Sequence, residues 1–241
     1  MNRRQHLSFL VGLGASAGAF TASRRPAFAQ GSGARPFTLP PLGYPYEALE
    51  PHIDTATMRV HHTGHHDAYV KALNVVAERY PDLARRPAVA VLAELASVPE
   101  AERAGVRNNL GGHWNHTHFW ELMRPGGARE PGGDLRPAID SAFGSVQGLM
   151  DQVAEKALGR FGSGWAWLAV DADSKLTILS TANQDNPHMD GARGVVLGVD
   201  VWEHAYYLKH QSRRVDYLNA WWNTVNWDVA SDNFRMALDK R

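Results

Sequence analysis

The 241-residue sequence contains no cysteine. This absence excludes a disulfide framework, an iron–sulfur cluster and any metal site built from thiolates. An excess of charge of either sign is also lacking, since 25 Lys and Arg balance 25 Asp and Glu. The overall charge therefore does not indicate a nucleic-acid-binding protein. The 44% hydrophobic and 21% charged composition is ordinary for a globular protein of one or two domains.

Long apolar runs are scarce, and the one at the N-terminus has the features of a targeting signal. Arg3 and Arg4 precede the apolar run from Leu7 to Phe20, and Ala27-Phe28-Ala29 follows as a small-x-small cleavage pattern. We predict that residues 1–29 are a signal peptide resembling the twin-arginine type, which places the mature protein in the periplasm. The alternative is an uncleaved membrane anchor, which a run so short and so rich in Gly and Ala disfavours.

Cleavage of this leader would change the net charge of the protein. Residues 1–29 hold four arginines and no acid, so the remainder has 21 Lys and Arg against 25 Asp and Glu, a formal net charge of −4. An anionic substrate would then need a local positive path on a mildly negative surface. We expect no stable membrane association after cleavage and no nucleic acid partner.

The rest of the chain predicts an α+β protein. After a flexible lead-in over 30–36, residues 37–124 read as a helical hairpin domain with helices over about 55–79, 87–97 and 102–123. A Gly- and Pro-rich linker over 125–133 separates it from a C-terminal α+β domain over 134–241. In that domain we predict one helix over about 134–158, and then strands over 165–170, 176–181 and 194–200 that form a small three-stranded antiparallel sheet, before a mostly helical end.

Histidines cluster on the first predicted helix. His61, His65 and Tyr69 follow one another at four-residue spacing, which places two imidazoles and a phenol on one face. A single histidine in such a position is usually a satisfied core residue, but a stripe of this kind favours a site. His62 and His66 form a parallel stripe, which we interpret as helix packing or surface.

A second cluster lies on the helix that ends the first domain. His113 and His116 are three residues apart, and their spacing alone does not say which one binds a metal. Gly111 and Gly112 precede them, and adjacent glycines inside a helix cost stability. We therefore expect another element to approach the helix closely at these glycines.

The third cluster follows the last predicted strand. Asp200 and His204 lie four residues apart with Trp202 and Glu203 between them. The alternative role for Asp200 is an N-cap of the following helix. Three imidazoles and one carboxylate from three parts of the chain suit a mononuclear metal site, and the carboxylate favours harder ions such as Mn and Fe.

These motifs together resemble the iron/manganese superoxide dismutase family. Asp-x-Trp-Glu-His-Ala-Tyr is highly specific to that family, and the matching blocks span about residues 37–239 in family order. The resemblance implies a helical hairpin followed by an α+β domain, with the metal between them. The blocks are Leu39–Tyr46, His61–His66, Asn108–His116, Phe161–Trp167, Ser180–Asp185 and Asp200–Tyr207.

The resemblance also implies the metal ligands. It assigns His61, His116, Asp200 and His204 to one ion per chain and leaves His113 as a structural residue. The expected enzyme disproportionates superoxide to O₂ and H₂O₂ by redox cycling of that ion. Gln184, delivered by the strand region, and Gly112, on the third helix, resemble the manganese type, whereas Trp114 is commoner in the iron type. We favour manganese, with iron as the alternative metal.

Further residues have roles that the resemblance implies. Tyr69 and His65 match the pair at the substrate gateway, and Gln184 matches an amide that hydrogen-bonds Tyr69 and the solvent on the metal. Trp165 and Trp202 match aromatic walls of the site. The remaining matches are Arg214, near the funnel mouth, and Glu203 and Tyr207, which reach across the interface of a homodimer or homotetramer.

Two other functions compete with this interpretation. A metal-binding relative of the same fold without turnover would have lost its gateway residues, but Tyr69, His65 and Gln184 are all present. A zinc hydrolase would need a Glu general base beside a His-x-x-x-His pair, and the segment from His61 to His65 has none.

Overall fold

The computed structural model describes residues 36–127 and 130–239. The predicted signal peptide lies outside these ranges, as does most of the predicted lead-in. In chain order the helices are α1 (Thr55–Val60), a π-helical segment (His61–His66), α2 (Asp67–Arg79), α3 (Ala88–Ala93), α4 (Glu100–Glu121), α5 (Leu135–Phe143), α6 (Val146–Gly159), α7 (Tyr207–His210), α8 (Arg214–Trp221) and α9 (Trp227–Asp239). The strands are β1 (Gly164–Val170), β2 (Leu176–Ala182) and β3 (Gly194–Asp200).

The N-terminal part is helical, as predicted. The Asp54 carboxylate caps α1 by accepting a 2.9 Å hydrogen bond from the backbone N–H of Thr57. From there helical structure runs without a break through the π segment into α2, which ends before Pro81. The long helix α4 packs against α2, and these two helices form the hairpin expected for the first half of the chain.

The predicted single helix over 134–158 is wrong, because the chain breaks it in two. Gly144 ends α5 with a positive φ of 80°, a backbone conformation that glycine adopts at little cost. Ser145 then caps α6, with its hydroxyl accepting a hydrogen bond from the backbone N–H of Gly148. The left-handed turn therefore redirects the chain and sends α6 onto the sheet.

The sheet is three-stranded and antiparallel, with β1 between β2 and β3. All residues of β1 and β3 are buried, whereas β2 is mostly half-buried at an edge. Helices α6 and α9 pack against the sheet, and α4 of the hairpin contacts β3. The hairpin and the sheet therefore meet where β3 ends, and this junction holds the residues singled out in the sequence. No helix within the described ranges is long and apolar enough to cross a membrane.

Candidate metal centre

Four side chains from four separate elements converge between the hairpin and the sheet. His61 begins the π segment, His116 lies on α4, Asp200 ends β3, and His204 follows in a short turn of 3₁₀ helix. One donor atom from each lies within 4.8 Å of the others, the only such group of three or more metal-binding side chains in the part of the chain that the structure describes. The sequence clusters are thus brought together as the resemblance implies.

The geometry centres on one carboxylate oxygen. Oδ2 of Asp200 lies 3.1 Å from Nε2 of His61, 3.3 Å from Nε2 of His204 and 3.6 Å from Nε2 of His116. Two donors that are each about 2.1 Å from one ion, at 90–120° to each other, are about 3.0–3.6 Å apart. The observed separations therefore fit a single small first-row metal ion.

Burial of the donors supports the same conclusion. His61 and His116 are buried, and Nε2 of each has no hydrogen-bond partner among the described residues. A buried polar nitrogen without a partner costs free energy unless a ligand satisfies it. A metal ion is the ligand that an imidazole lone pair beside a carboxylate would accept.

The backbone sets the orientation of two of these ligands. Nδ1 of His116 donates a 2.6 Å hydrogen bond to the carbonyl of Gly112, which leaves the lone pair of Nε2 directed at the site. Oδ1 of Asp200 accepts a 2.8 Å bond from the backbone N–H of Trp202. The alternative role considered for Asp200, an N-cap of the following helix, is wrong, because Trp202 occupies that position. The backbone bond holds one carboxylate oxygen, and the second faces the imidazoles of the site.

The protonation states suit metal binding. Burial lowers the pKa of His61 to about 4, and burial also lowers the pKa of His116 well below its usual value. Burial raises the pKa of Asp200, but the imidazoles of His204 and His61 outweigh this effect, so that the pKa falls below its ordinary value. At neutral pH the site thus offers neutral imidazoles from His61 and His116 and an ionised carboxylate from Asp200.

A polar network extends from the site to Tyr69. Nε2 of Gln184 donates a 3.1 Å hydrogen bond to the Tyr69 hydroxyl, and Oε1 of Gln184 accepts bonds from the Trp165 indole (3.1 Å) and the Asn115 amide (3.2 Å). Since both of these partners are N–H donors, they fix which end of the Gln184 amide faces Tyr69. Asn186 in turn donates to Asn115.

Tyr69 stays protonated within this network. Its ring lies 5.3 Å from the His116 ring, and burial raises the pKa of its phenol to about 12. Because the Tyr69 oxygen accepts from Gln184, its own proton is available for donation to a group in the site. His65, half-buried, stacks on His204 with ring centroids 3.9 Å apart.

Aromatic rings enclose the ligands. Trp165 packs edge-on against His116 at 5.4 Å, Trp202 stacks on His204 at 5.4 Å, and Trp120 packs edge-on against His61 at 4.8 Å. Trp165 and Trp120 are fully buried. These walls keep bulk water away from the ligands.

Three further residues that were singled out in the sequence are not members of the ligand group. Glu203 and Tyr207 are exposed on the surface, so the roles that the resemblance implies for them need a second chain. Arg214 donates to the carbonyls of Ala157 and Arg160 and to the Tyr206 hydroxyl. Arg214 therefore anchors the chain before β1, a role that its sequence position did not indicate.

Some residues of the centre were not singled out from the sequence. The Gln184 amide is held by Asn115, which accepts a hydrogen bond from Asn186, and Trp120 packs on a ligand. His66 belongs with them because it is fully buried beside His116. Sequence position could have identified Asn115, because it adjoins His116 and a buried amide in a helix needs a hydrogen-bond partner. The expectation about the glycines is confirmed, since a Cβ on Gly111 would lie 2.3 Å from the Gln184 carbonyl oxygen and one on Gly112 2.7 Å from the Tyr69 ring.

The fold and the site together define a metalloprotein with one three-histidine, one-aspartate centre between a helical hairpin and an α/β domain. Comparison with known families agrees. Residues 36–124 match the family described as "Iron/manganese superoxide dismutases, alpha-hairpin domain", and residues 131–233 match its "C-terminal domain".

Curated relatives cover nearly the same region. A protein of Thermus thermophilus named superoxide dismutase (Mn) is 57% identical over 202 residues, 84% of this chain and 98% of that one. A superoxide dismutase (Mn) of Listeria innocua is 51% identical over 83% of this chain and 98% of its own length. One named superoxide dismutase (Mn/Fe), from Methylomonas sp. (strain J), is 50% identical over 84% of this chain and 99% of its own. The chain belongs to the iron/manganese superoxide dismutase family.

Proposed function

We infer that this protein is a superoxide dismutase that uses one manganese ion per chain, with iron as the alternative metal. The observation that carries this inference is the convergence of three Nε2 atoms on Asp200 Oδ2 at 3.1–3.6 Å in a buried site. Membership of the family and the names of the relatives, manganese or manganese/iron in each case, support it.

The ligand set suits a redox metal of modest charge. A bound manganese or iron ion would alternate between the +3 and +2 states, oxidising one superoxide to O₂ and reducing a second, which takes up two protons, to H₂O₂. His61, His116 and His204 would hold the ion as neutral imidazoles, and Asp200 would supply one negative charge. The ligands thus leave a net positive centre that attracts a small anion.

The surrounding residues manage protons and exclude water. The Tyr69 phenol keeps its proton, because burial raises its pKa to about 12, and Gln184 fixes the hydroxyl by donating to its oxygen. We propose that Tyr69 delivers protons to the reduced substrate and that His65, half-buried beside His204, connects it with bulk water. Trp165 and Trp202 restrict the site to substrates of about the size of superoxide.

Ligand substitution tests this function. Asp200→Asn and His204→Asn, expressed and supplied with manganese like the wild type, should lose bound manganese and dismutation together. Asp140→Asn is the control, since this carboxylate pairs with Arg136 on an exposed surface. Dismutation by Asp200→Asn at the wild-type rate, measured by stopped-flow decay of superoxide, would remove the centre from the reaction.

We propose further that the protein acts as a homodimer or a homotetramer. Phe161 is 99% exposed and Tyr207 50% exposed. Arg214 ties their two segments together by bonding Arg160, Gly162 and Tyr206. Exposed aromatic side chains of this size favour an interface. Light scattering should give at least twice the chain mass for the wild type and a larger monomer fraction for Phe161→Ser. Val75→Ser, at an exposed apolar position of α2, serves as the comparison. Unchanged mass for Phe161→Ser would contradict the assignment.

The location of the protein remains a proposal that rests on the sequence. We propose export to the periplasm as a folded protein through a twin-arginine signal, which would place metal loading in the cytoplasm. Replacing Arg3 and Arg4 by lysine should retain the folded enzyme in the cytoplasm. Undiminished export of this variant would refute the route.

A further inference from the structure

A second group of aromatic nitrogens lies directly behind the metal ligands. His66, His113 and Trp120 are all buried, and they form a continuous hydrogen-bonded chain. The indole Nε1 of Trp120 lies 3.0 Å from Nδ1 of His66, and Nε2 of His66 lies 2.8 Å from Nδ1 of His113. We call these three residues the imidazole relay. None of them is a member of the ligand group.

The hydrogen bonds of the relay have a fixed direction. An indole N–H can only donate, so Nδ1 of His66 must accept and therefore carries no proton. The proton of His66 is then on Nε2, which donates to Nδ1 of His113. His113 in turn carries its proton on Nε2. A single donor-only group thus determines the tautomers of both histidines.

The relay contacts two metal ligands through its rings. The Trp120 ring packs edge-on against His61 at 4.8 Å between centroids. The His66 ring lies nearly parallel to His116, with centroids 5.5 Å apart and an angle of 30°. The hydrogen bond from His66 to His113 also joins the π segment that carries His61 to the helix α4 that carries His116. The relay therefore holds the π segment and α4 in a fixed position relative to each other, close to the two ligands that they carry.

We propose that the hydrogen bond from His66 to His113 is a positioning contact, which holds the imidazoles of His61 and His116 in the orientation that retains the metal ion. The proposal rests on the proposed function, since it concerns the same centre. It assigns to His113 a role other than ligation, although this residue lies only three positions from a ligand. Side chains behind a ligand change metal affinity or activity by about 10–100-fold when they are removed.

The loss of the acceptor has a defined consequence. Without an acceptor at position 113, the Nε2–H of His66 is buried with no partner, a state that proteins avoid. The His66 ring would rotate or change its tautomer to find another partner. Either change breaks its bond with Trp120 or its packing on His116, so the ligands would hold the ion less firmly.

Two substitutions at one position separate the hydrogen bond from packing. His113→Leu removes the acceptor with little loss of volume. His113→Asn keeps an acceptor, because its amide oxygen is attached to Cγ as Nδ1 is. His210→Leu is the matched control: His210 is also a buried histidine, with one hydrogen bond, to the carbonyl of His52, but it lies outside the relay.

The experiment follows manganese release from the purified, manganese-loaded proteins into excess chelator, together with the visible absorption of the oxidised ion. We expect His113→Leu to release manganese at least about 10-fold faster than the wild type and to show a shifted absorption band. His113→Asn should stay within about 3-fold of the wild type and keep its band, as should His210→Leu. Wild-type release by His113→Leu, or equal acceleration in His113→Asn or His210→Leu, would overturn the proposal.

A second variant covers the case in which His113→Leu does not fold. Trp120→Phe keeps an aromatic ring against His61 but removes the indole donor, so that His66 can adopt either tautomer. It should also release manganese faster and shift the band, and wild-type behaviour would contradict the relay. A wild-type protein that binds neither manganese nor iron would instead refute the proposed function, so the two failures are distinguishable.

Discussion

Gly112 is the position at which the structure makes its sharpest prediction. A Cβ at this position would lie 2.7–2.8 Å from three carbon atoms of the Tyr69 ring, whereas ordinary contacts begin at 3.4 Å. Gly112→Ala must therefore separate helix α4 from the ring by about 0.6–0.7 Å. Strain of this kind in a packed interior costs about 1–3 kcal/mol. For a protein of this size, that should lower Tm by about 2–12 °C.

The displacement should also impair catalysis. The hydrogen bond from Gln184 to the Tyr69 hydroxyl is 3.1 Å long, and an added 0.6 Å along it would exceed the distance at which such a bond is effective. Metal content should be unchanged, because the His116 ligand bonds to the backbone carbonyl of residue 112, which alanine also has. We therefore expect full manganese occupancy with dismutation impaired most at high superoxide, where proton delivery limits the reaction.

Gly105→Ala provides the control on the same helix. A Cβ there would meet only Val76 Cγ2, at 3.6 Å, an ordinary contact. Because alanine is the better helix former, Gly105→Ala should leave Tm unchanged or raise it, with a gain of up to about 1 kcal/mol in the free energy of unfolding. Thermal melts and stopped-flow superoxide decay compare the two variants. If Gly112→Ala matched Gly105→Ala in both Tm and turnover, the close packing of Tyr69 on α4 would be refuted.

Three other predictions concern the same network. Tyr69→Phe should keep its manganese but slow dismutation at high superoxide, and unchanged stopped-flow kinetics would remove Tyr69 from proton delivery. Gln184→Leu leaves the buried indole N–H of Trp165 without its acceptor, whereas the Asn115 amide keeps its 3.0 Å bond to the backbone carbonyl of residue 184. The free energy of unfolding in urea should therefore fall by about 1–3 kcal/mol, and a loss below about 1 kcal/mol would contradict the network. Burial lowers the pKa of His113 to about 4 in the folded state, so its contribution to stability is complete above about pH 6.5 and is lost as the pH falls towards 4. The free energy of unfolding of the metal-free protein in urea should therefore decrease over this pH range, with about 3 kcal/mol of the decrease due to His113. The decrease should be smaller in His113→Asn, and an equal decrease in the two proteins would contradict this prediction.

Spacing and residue type predicted much of the centre, but not the choice between two histidines. His61, Asp200 and His204 stand out because an imidazole or carboxylate recurs at four-residue spacing beside a strand or helix. His113 and His116 are equivalent by spacing, and only family resemblance favoured His116. In the structure, the carbonyl of Gly112 turns His116 towards the site, whereas His113 meets His66.

The fold was predicted in outline because its signals are local. The short apolar runs of the strands, Pro81 and the N-cap at Asp54 each act within a few residues. The break at Gly144 was missed, since a glycine inside an amphipathic pattern is tolerated in many helices and a left-handed turn is chosen by packing on the sheet. The π segment was missed for a similar reason, because its extra residue leaves the apolar pattern almost unchanged.

The orientation of Gln184 could not be predicted from local sequence. Its amide is set by Asn115, on α4, and by Trp165, on β1, which lie 69 and 19 positions away along the chain. Such contacts exist only after the hairpin and the sheet have packed together. The wall residues Trp165 and Trp202 were recognisable from family resemblance, but their distances from the ligands were not.

The central claim is that one redox metal ion, held by His61, His116, Asp200 and His204, carries the activity. The most direct test measures metal content by elemental mass spectrometry and dismutating activity on the same samples of the protein purified from its native compartment. The account predicts about one manganese per chain, with activity proportional to manganese across preparations. Activity that tracks iron would overturn the assignment of the metal, and a fully loaded protein without activity would contradict the account itself.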